Sequence, residues 1–122
     1  MSDKFGIDCS TGVSVMWVFT STGMLSVVAH RGQPDSLLIR ARSSTHITAM
    51  FGDVKVAHTP AADYPFRTVI SRNSFAKRMA DYSQKIDYDN YKGSIMQNNF
   101  HDSCLKVWSV MRQYGLDEER FE

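Results

Sequence analysis

The sequence predicts an α+β fold, built from a mainly antiparallel sheet of about five strands with helices packed on one face. The first 71 residues contain short apolar segments that are bounded by turn residues, which is typical of strands. Most of the remaining residues follow a pattern with apolar side chains at every third or fourth position, which is typical of helices. One short helix interrupts the strands, so the predicted element order is β-β-β-α-β-β-α-α.

Five segments are predicted to be strands: 13–20, 24–30, 37–42, 54–58 and 66–71. In the first segment, alternate residues from Val13 to Phe19 share one side, and their apolar character indicates a buried strand. The short turn Ser21–Gly23 separates the first two segments, which indicates an antiparallel hairpin. Two prolines keep Thr59–Pro65 extended, so this stretch is predicted to be the loop before the last strand.

Four segments show helical features: a short helix that Ser43 or Ser44 can cap and that runs through Phe51, and the segments 72–85, 88–96 and 100–114. Gly52 can end the first helix in a left-handed conformation. The second helix has the clearest apolar stripe: Phe75, Met79, Tyr82 and Ile86. Either Ser71 or Asn73 can cap this helix, because both side chains can accept a hydrogen bond from an amide of the first turn. Gly115 is the expected end of the last helix.

The chain length bounds the domain organisation. The 122 residues are enough for one hydrophobic core and too few for two. We therefore predict a flexible N-terminal leader at 1–12, a single α+β domain at 13–115 and an acidic C-terminal tail at 116–122.

The positions of the two cysteines and the lengths of the apolar stretches indicate the cellular compartment of the protein. Cys9 and Cys104 lie near opposite ends of the chain, which suits a reducing environment. The first residues lack the apolar run of a secretion signal, and no apolar stretch reaches the ~20 residues of a membrane span. We expect a cytoplasmic protein that does not bind membranes.

The overall charge excludes two classes of protein. Lys and Arg together number 14 and Asp and Glu 13, which gives a formal net charge of +1. A strongly cationic nucleic-acid binder carries a large positive excess, and a polyanionic DNA mimic carries a large negative one. Any charged contact must therefore come from a local cluster.

Five segments form a combined pattern: WVFTSTGMLSVV at 17–28, LLIRAR at 37–42, TPAADYPFR at 59–67, IDYDNYK at 86–92 and VWSV at 107–110. With this pattern, W-x-F-T-x-x-G … A-D-Y-P-[FY]-R … I-D-Y-D-N-[FY]-K … V-W, the chain resembles a widespread family of small bacterial and phage proteins of no established activity. The resemblance covers about Met16 to Tyr114. It implies a compact cytoplasmic domain and nothing about reaction chemistry.

Three arginines are candidates for an anion- or partner-binding site. Arg40 and Arg42 are two apart on one predicted strand, so both side chains leave the same face of the sheet. Arg67 on the fifth strand can join them, and the preceding Tyr64 can supply a ring or a hydroxyl. Three guanidinium groups together can bind a phosphate or a carboxylate.

A structural role is the alternative for the same arginines. They can pair with Asp63, Asp87 or Asp89 and so attach the loop and a helix start to the sheet. The sequence leaves both roles open.

Other motifs do not support catalysis or metal binding. Asp87–Gly93 resembles a calcium loop at its first and third positions, but Asn98 occupies the twelfth position, where a bidentate Glu is needed. Ser74–Lys77 matches S-x-x-K, a motif that is short and frequent by chance. His101 and Cys104 supply two metal ligands where zinc needs three or four. We predict no catalytic residue, no metal site and no cofactor.

Two functions follow from these observations. We favour a non-catalytic interaction protein that binds another macromolecule, with a phage-encoded modulator of a host protein as its most specific form. The alternative is an anion- or phosphate-binding domain, or an enzyme that acts on a nucleotide or nucleic acid through the arginines. We expect a protein partner, and nucleic acid has weaker support. A homodimer is also left open, because four methionines have no assigned buried position: Met16, Met24, Met50 and Met96.

Overall fold

A computed structural model describes residues 15–120, so the predicted leader at 1–12, with Cys9, lies outside the described residues. The chain divides into two compact units, Met1–Ile86 and Asp87–Glu122. The described residues form a five-stranded sheet and three α-helices. This architecture confirms the predicted α+β class, while the single domain at 13–115 stays a prediction.

The first unit contains the whole sheet. Its elements are β1 (Val15–Thr20), β2 (Gly23–Ala29), β3 (Ser36–Ala41), α1 (Ser44–Phe51), β4 (Ala57–His58), β5 (Phe66–Ser71) and α2 (Arg72–Gln84). The strands lie in the order β1-β2-β3-β5-β4, and every neighbouring pair is antiparallel. β1 and β4 are therefore the two edges of this sheet.

The two faces of the sheet differ in what covers them. We call the face that packs against α1 and α2 the inner face, and the opposite one the outer face. Side chains alternate between the faces along each strand. The core of the first unit lies on the inner face and is formed by Val18, Leu25, Val27, Ile39, Ala41, Ile47, Met50, Ile70 and Phe75.

The helix ends follow from local chemistry. The Ser71 hydroxyl accepts a hydrogen bond from the Ser74 amide at 3.1 Å, so Ser71 rather than Asn73 caps α2. Gly52 ends α1 with a positive φ of 73°, as predicted, and its amide donates to the Thr48 carbonyl oxygen at 2.8 Å.

β1 is a strand, but the side predicted to be buried is the exposed one. Val18 is 8% exposed, whereas Trp17 is 62% exposed. Alternation divides the side chains of a strand into two groups, and it does not say which group the helices cover. In β1 the covered group contains Val18, and Val15, Trp17 and Phe19 lie on the outer face.

The fourth strand is shorter than predicted. Only Ala57 and His58 pair with β5, whereas the sequence predicts a strand from residue 54. The Val54 amide donates to the Gly52 carbonyl oxygen at 2.8 Å, so the backbone is still turning where the strand was expected to start.

In the second unit, a 3-10 turn at Lys92–Ser94 precedes a long helix, α3, at Asn98–Arg120. The prediction of a helix at 88–96 is wrong. The Asn90 side-chain oxygen accepts a hydrogen bond from the Gly93 amide at 3.3 Å, which competes with helical backbone bonding. Gly93 itself also disfavours a helix.

α3 extends beyond its predicted end at Gly115. Residues 116–120 of the predicted acidic tail are helical. Asp117 stabilises this last part, because its carboxylate accepts a hydrogen bond from Gln113 at 3.0 Å and lies 3.6 Å from an Arg120 nitrogen.

Candidate functional site

The structure brings all five predicted site residues together at one end of the outer face. We call Arg40, Arg42, Asp63, Tyr64 and Arg67 the arginine–tyrosine cluster. Antiparallel pairing of β3 with β5 places Arg40 directly opposite Arg67. Arg42 follows the last residue of β3, and Asp63 and Tyr64 lie in the loop before β5.

The Tyr64 ring is the centre of this cluster. The Cζ atoms of Arg40 and Arg42 lie 4.8 Å and 4.3 Å from the ring centroid, which is the geometry of cation–π contacts. Arg67 Nε donates a hydrogen bond to the Tyr64 carbonyl oxygen at 3.2 Å. Tyr64 is only 7% exposed although it lies in a loop. Its ring therefore holds the protein's own guanidinium groups, and is not an open stacking surface for a ligand.

Asp63 neutralises part of the positive charge of the arginine–tyrosine cluster. Arg42 Nη2 lies 2.9 Å from Asp63 Oδ1, so the structural alternative for this arginine is observed. The hydrogen bond to Asp63 raises the pKa of the Arg42 guanidinium. Both side chains are more than half exposed, and exposed ion pairs of this kind contribute at most about 1 kcal/mol. Asp87 and Asp89, the other predicted partners, belong to the second unit.

Arg40 is held from a second direction by a residue that sequence analysis did not identify. Its Nη2 donates to the Ser26 hydroxyl at 2.7 Å, and Ser26 is fully buried directly opposite on β2. Arg40 Nε is buried without a hydrogen-bond partner. The cluster thus contains three guanidinium groups and one carboxylate, and it keeps an excess of positive charge.

Exposed apolar side chains continue from the cluster across the outer face. Trp17 lies opposite Ser26, so one row across the sheet contains Trp17, Ser26, Arg40 and Arg67. Further exposed residues on this face are Val15, Phe19 and Val69. The sequence pattern groups Val15, Trp17 and Phe19 correctly, but only the sheet register shows that they lie on the same face as the arginines, two strands away from Arg40.

A concavity of about 370 Å³ lies next to α1, β5 and α2 in the first unit. Its lining residues are Phe51, Val54, Val69, Ile70, Ser71, Ser74 and Arg78. The five residues of the arginine–tyrosine cluster do not line it.

Comparisons of the chain with protein-family models, curated proteins and solved structures find no match. The family resemblance therefore stays a prediction. Within residues 15–120, no group of three or more His, Cys, Asp and Glu side chains is arranged to hold a metal ion. None of the helices in the same part of the chain combines the length and apolar character needed to cross a membrane.

Proposed function

We propose that the chain is a non-catalytic binding module that docks onto another protein through the outer face of its sheet. The observation that supports this proposal is the row of Trp17, Ser26, Arg40 and Arg67 across adjacent strands, with Tyr64 beneath two guanidinium groups. Trp, Tyr and Arg are the residue types that contribute most binding energy in protein interfaces.

The composition of the outer face favours a protein over a nucleic acid. Single-stranded nucleic acid binds through exposed aromatic rings on which successive bases stack. Here the Tyr64 ring is buried, and the aliphatic side chains of Val15 and Val69 are exposed on the same face as the aromatic ones of β1. A net charge of +1 also supplies little of the general attraction on which nucleic-acid binding depends.

The same surface defines the chemistry of the partner. Three guanidinium groups with one carboxylate favour acidic side chains, because a bidentate arginine–carboxylate contact adds both energy and geometry. Exposed Trp17 and Phe19 favour apolar side chains next to those acidic groups.

We propose that this interaction takes place in the cytoplasm. The most specific form of the proposal is a phage-encoded modulator that binds a host protein.

Site-specific photocrosslinking tests the proposal. A photoreactive phenylalanine analogue replaces Val69, which is 42% exposed on the outer face, and the protein is incubated with an extract of its source cells. The matched control carries the analogue at Thr48, which is exposed on α1. We expect one dominant crosslinked protein from position 69 and none from position 48.

The identified partner then allows affinity to be measured. Arg40→Gln and Arg42→Gln are each expected to weaken its binding by more than about tenfold, as hot-spot arginines do. Unchanged affinity in both folded variants contradicts the proposal. Binding of a fluorescent single-stranded oligonucleotide that weakens steeply with salt, and that Arg40→Gln abolishes, favours the nucleic-acid alternative instead.

A further inference from the structure

Within residues 15–120, β1 is an edge strand of the sheet, and it has the properties of a pairing surface. β1 spans Val15–Thr20, reads VMWVFT and contains neither a charged residue nor a proline. Natural edge strands are usually protected by such residues, because the unpaired backbone of an edge is a template for another strand. Val15, Met16, Trp17 and Phe19 are all exposed. The opposite edge, β4, is only two residues long.

The hairpin register shows which backbone groups of β1 face this edge. Phe19 lies opposite Met24, and the Met24 amide donates to His46 Nδ1 at 3.1 Å, away from β1. Hydrogen-bonded and non-bonded pairs alternate along an antiparallel ladder. The N–H and C=O groups of Val15, Trp17 and Phe19 are therefore directed outwards.

We propose that a second copy of the chain pairs antiparallel along β1, with Trp17 on the two-fold axis, to form a continuous ten-stranded sheet. In this register Val15 lies opposite Phe19 of the second copy, and Trp17 lies opposite Trp17 of the second copy. All three outward-facing residues of each strand then pair, and the three pairs exchange about six hydrogen bonds. A shift by two residues leaves one of the three opposite a residue outside β1.

Self-complementarity is what favours a second copy over an unrelated strand. Every side chain that meets across the proposed axis is apolar, and no charge on β1 opposes the approach of an identical strand. The interface uses the same strand from both copies, so it closes after two chains and does not propagate. Because the axis is perpendicular to the sheet, the outer faces of both copies lie on the same side.

Sedimentation of the full chain over about 1–100 μM tests the assembly. We expect a dimer that Trp17→Lys weakens at least about tenfold, because it places two ammonium groups next to each other at the axis. Trp17 is 62% exposed, so this variant should keep the fold, which circular dichroism checks. The matched control is Val110→Lys on α3, a residue with similar exposure at 67%.

A disulfide test checks the register. In a Cys9→Ser, Cys104→Ser background, Trp17→Cys should form a covalent dimer under mild oxidation. Directly opposed residues of a hydrogen-bonded pair have Cα atoms about 5.5 Å apart, within the range that a disulfide can bridge. Val15→Cys in the same background should form none, because it faces Phe19 of the second copy.

Three results overturn the proposal. The first is a monomer at every concentration. The second is a dimer that Trp17→Lys leaves intact and Val110→Lys dissociates, which assigns the contact to α3. The third is equal crosslinking, or none, from positions 15 and 17. None of these results depends on the partner of the proposed binding module, so the two proposals fail separately.

Discussion

Arg40 and Arg67 occupy directly opposed positions on β3 and β5, so two guanidinium side chains share one site on the outer face. Like charges directly opposite each other destabilise a sheet. The sequence nevertheless places both here, and Tyr64 contacts each of them, through its ring for Arg40 and through its carbonyl oxygen for Arg67. This arrangement suits the acidic partner proposed above, because an acidic group at the same place would relieve the repulsion.

The repulsion between Arg40 and Arg67 should appear as a salt dependence of stability. Between 50 mM and 0.5 M NaCl, we expect the free energy of unfolding of the wild type to rise by ~0.5 kcal/mol more than that of Arg67→Gln, because salt screens the like charges. Urea denaturation at both salt concentrations measures the difference. Arg78→Gln, which removes an exposed positive charge from α2, is the control and should behave like the wild type. Equal salt dependence in Arg67→Gln and the wild type would show that the two charges do not repel measurably.

The Tyr64 ring should matter more than its hydroxyl. Tyr64→Phe keeps the buried ring and its contacts with Arg40 and Arg42, so we expect little change in stability. Tyr64→Ala removes a large buried aromatic side chain and should cost about 3 kcal/mol. Urea denaturation of both variants distinguishes the two contributions. A large loss in Tyr64→Phe would mean that the hydroxyl, and not the ring, holds the cluster.

Local sequence patterns predict most of the elements, and they fail where tertiary contacts decide. β5 has its predicted bounds, because the proline loop before it and the Ser71 cap at its last residue are both local signals. The burial of β1 is reversed, because alternation cannot show which side the helices cover. α3 passes through Gly115, where a single glycine costs less than the continued helix gains.

The residues of the candidate site could be predicted from the sequence, but the residues that surround them in the sheet could not. Arg40 and Arg42 are two residues apart, and Arg67 follows a short loop, so a shared sheet brings them together. Ser26 and Trp17 join the site only through the pairing of three strands, which no local pattern specifies. The binding role of the cluster stays a prediction.

His46 should make the stability of the protein depend on pH. Burial lowers the pKa of His46, and its Nδ1 accepts the Met24 amide hydrogen, which requires an unprotonated nitrogen. A histidine whose pKa is lowered in the folded state contributes its full stability above the unfolded pKa of about 6.5 and loses it as the pH falls towards the folded value. Stability should therefore decrease from pH 7 to pH 5.

The variant His46→Asn tests this assignment, since an asparagine oxygen can still accept the Met24 amide hydrogen and does not titrate. We expect a flatter dependence of the unfolding free energy on pH than in the wild type. His58→Asn, at an exposed position, is the control. If His46→Asn retained the wild-type slope between pH 7 and pH 5, the pH dependence would have another source.

The cap of α2 can be assigned by a pair of alanine variants. The Ser71 hydroxyl accepts the Ser74 amide hydrogen, so Ser71→Ala should lower stability by about 1 kcal/mol. Asn73, the other cap that the sequence offers, lies inside the helix and is exposed. Asn73→Ala should therefore leave stability unchanged or raise it slightly. Thermal unfolding of both variants decides between them, and a larger loss in Asn73→Ala would reverse the assignment.

Replacing Gly115 tests whether α3 continues to Arg120. A side chain added at Gly115 meets nothing within 4 Å, so Gly115→Ala adds helix propensity without a clash. We expect a gain of up to about 1 kcal/mol and a slightly larger helical signal in circular dichroism. The control is Gly52→Ala at the end of α1, where the positive φ of 73° strains any other residue and should make the same substitution destabilising. No gain from Gly115→Ala would mean that the helix ends at this glycine in solution, because alanine stabilises only a residue that is helical.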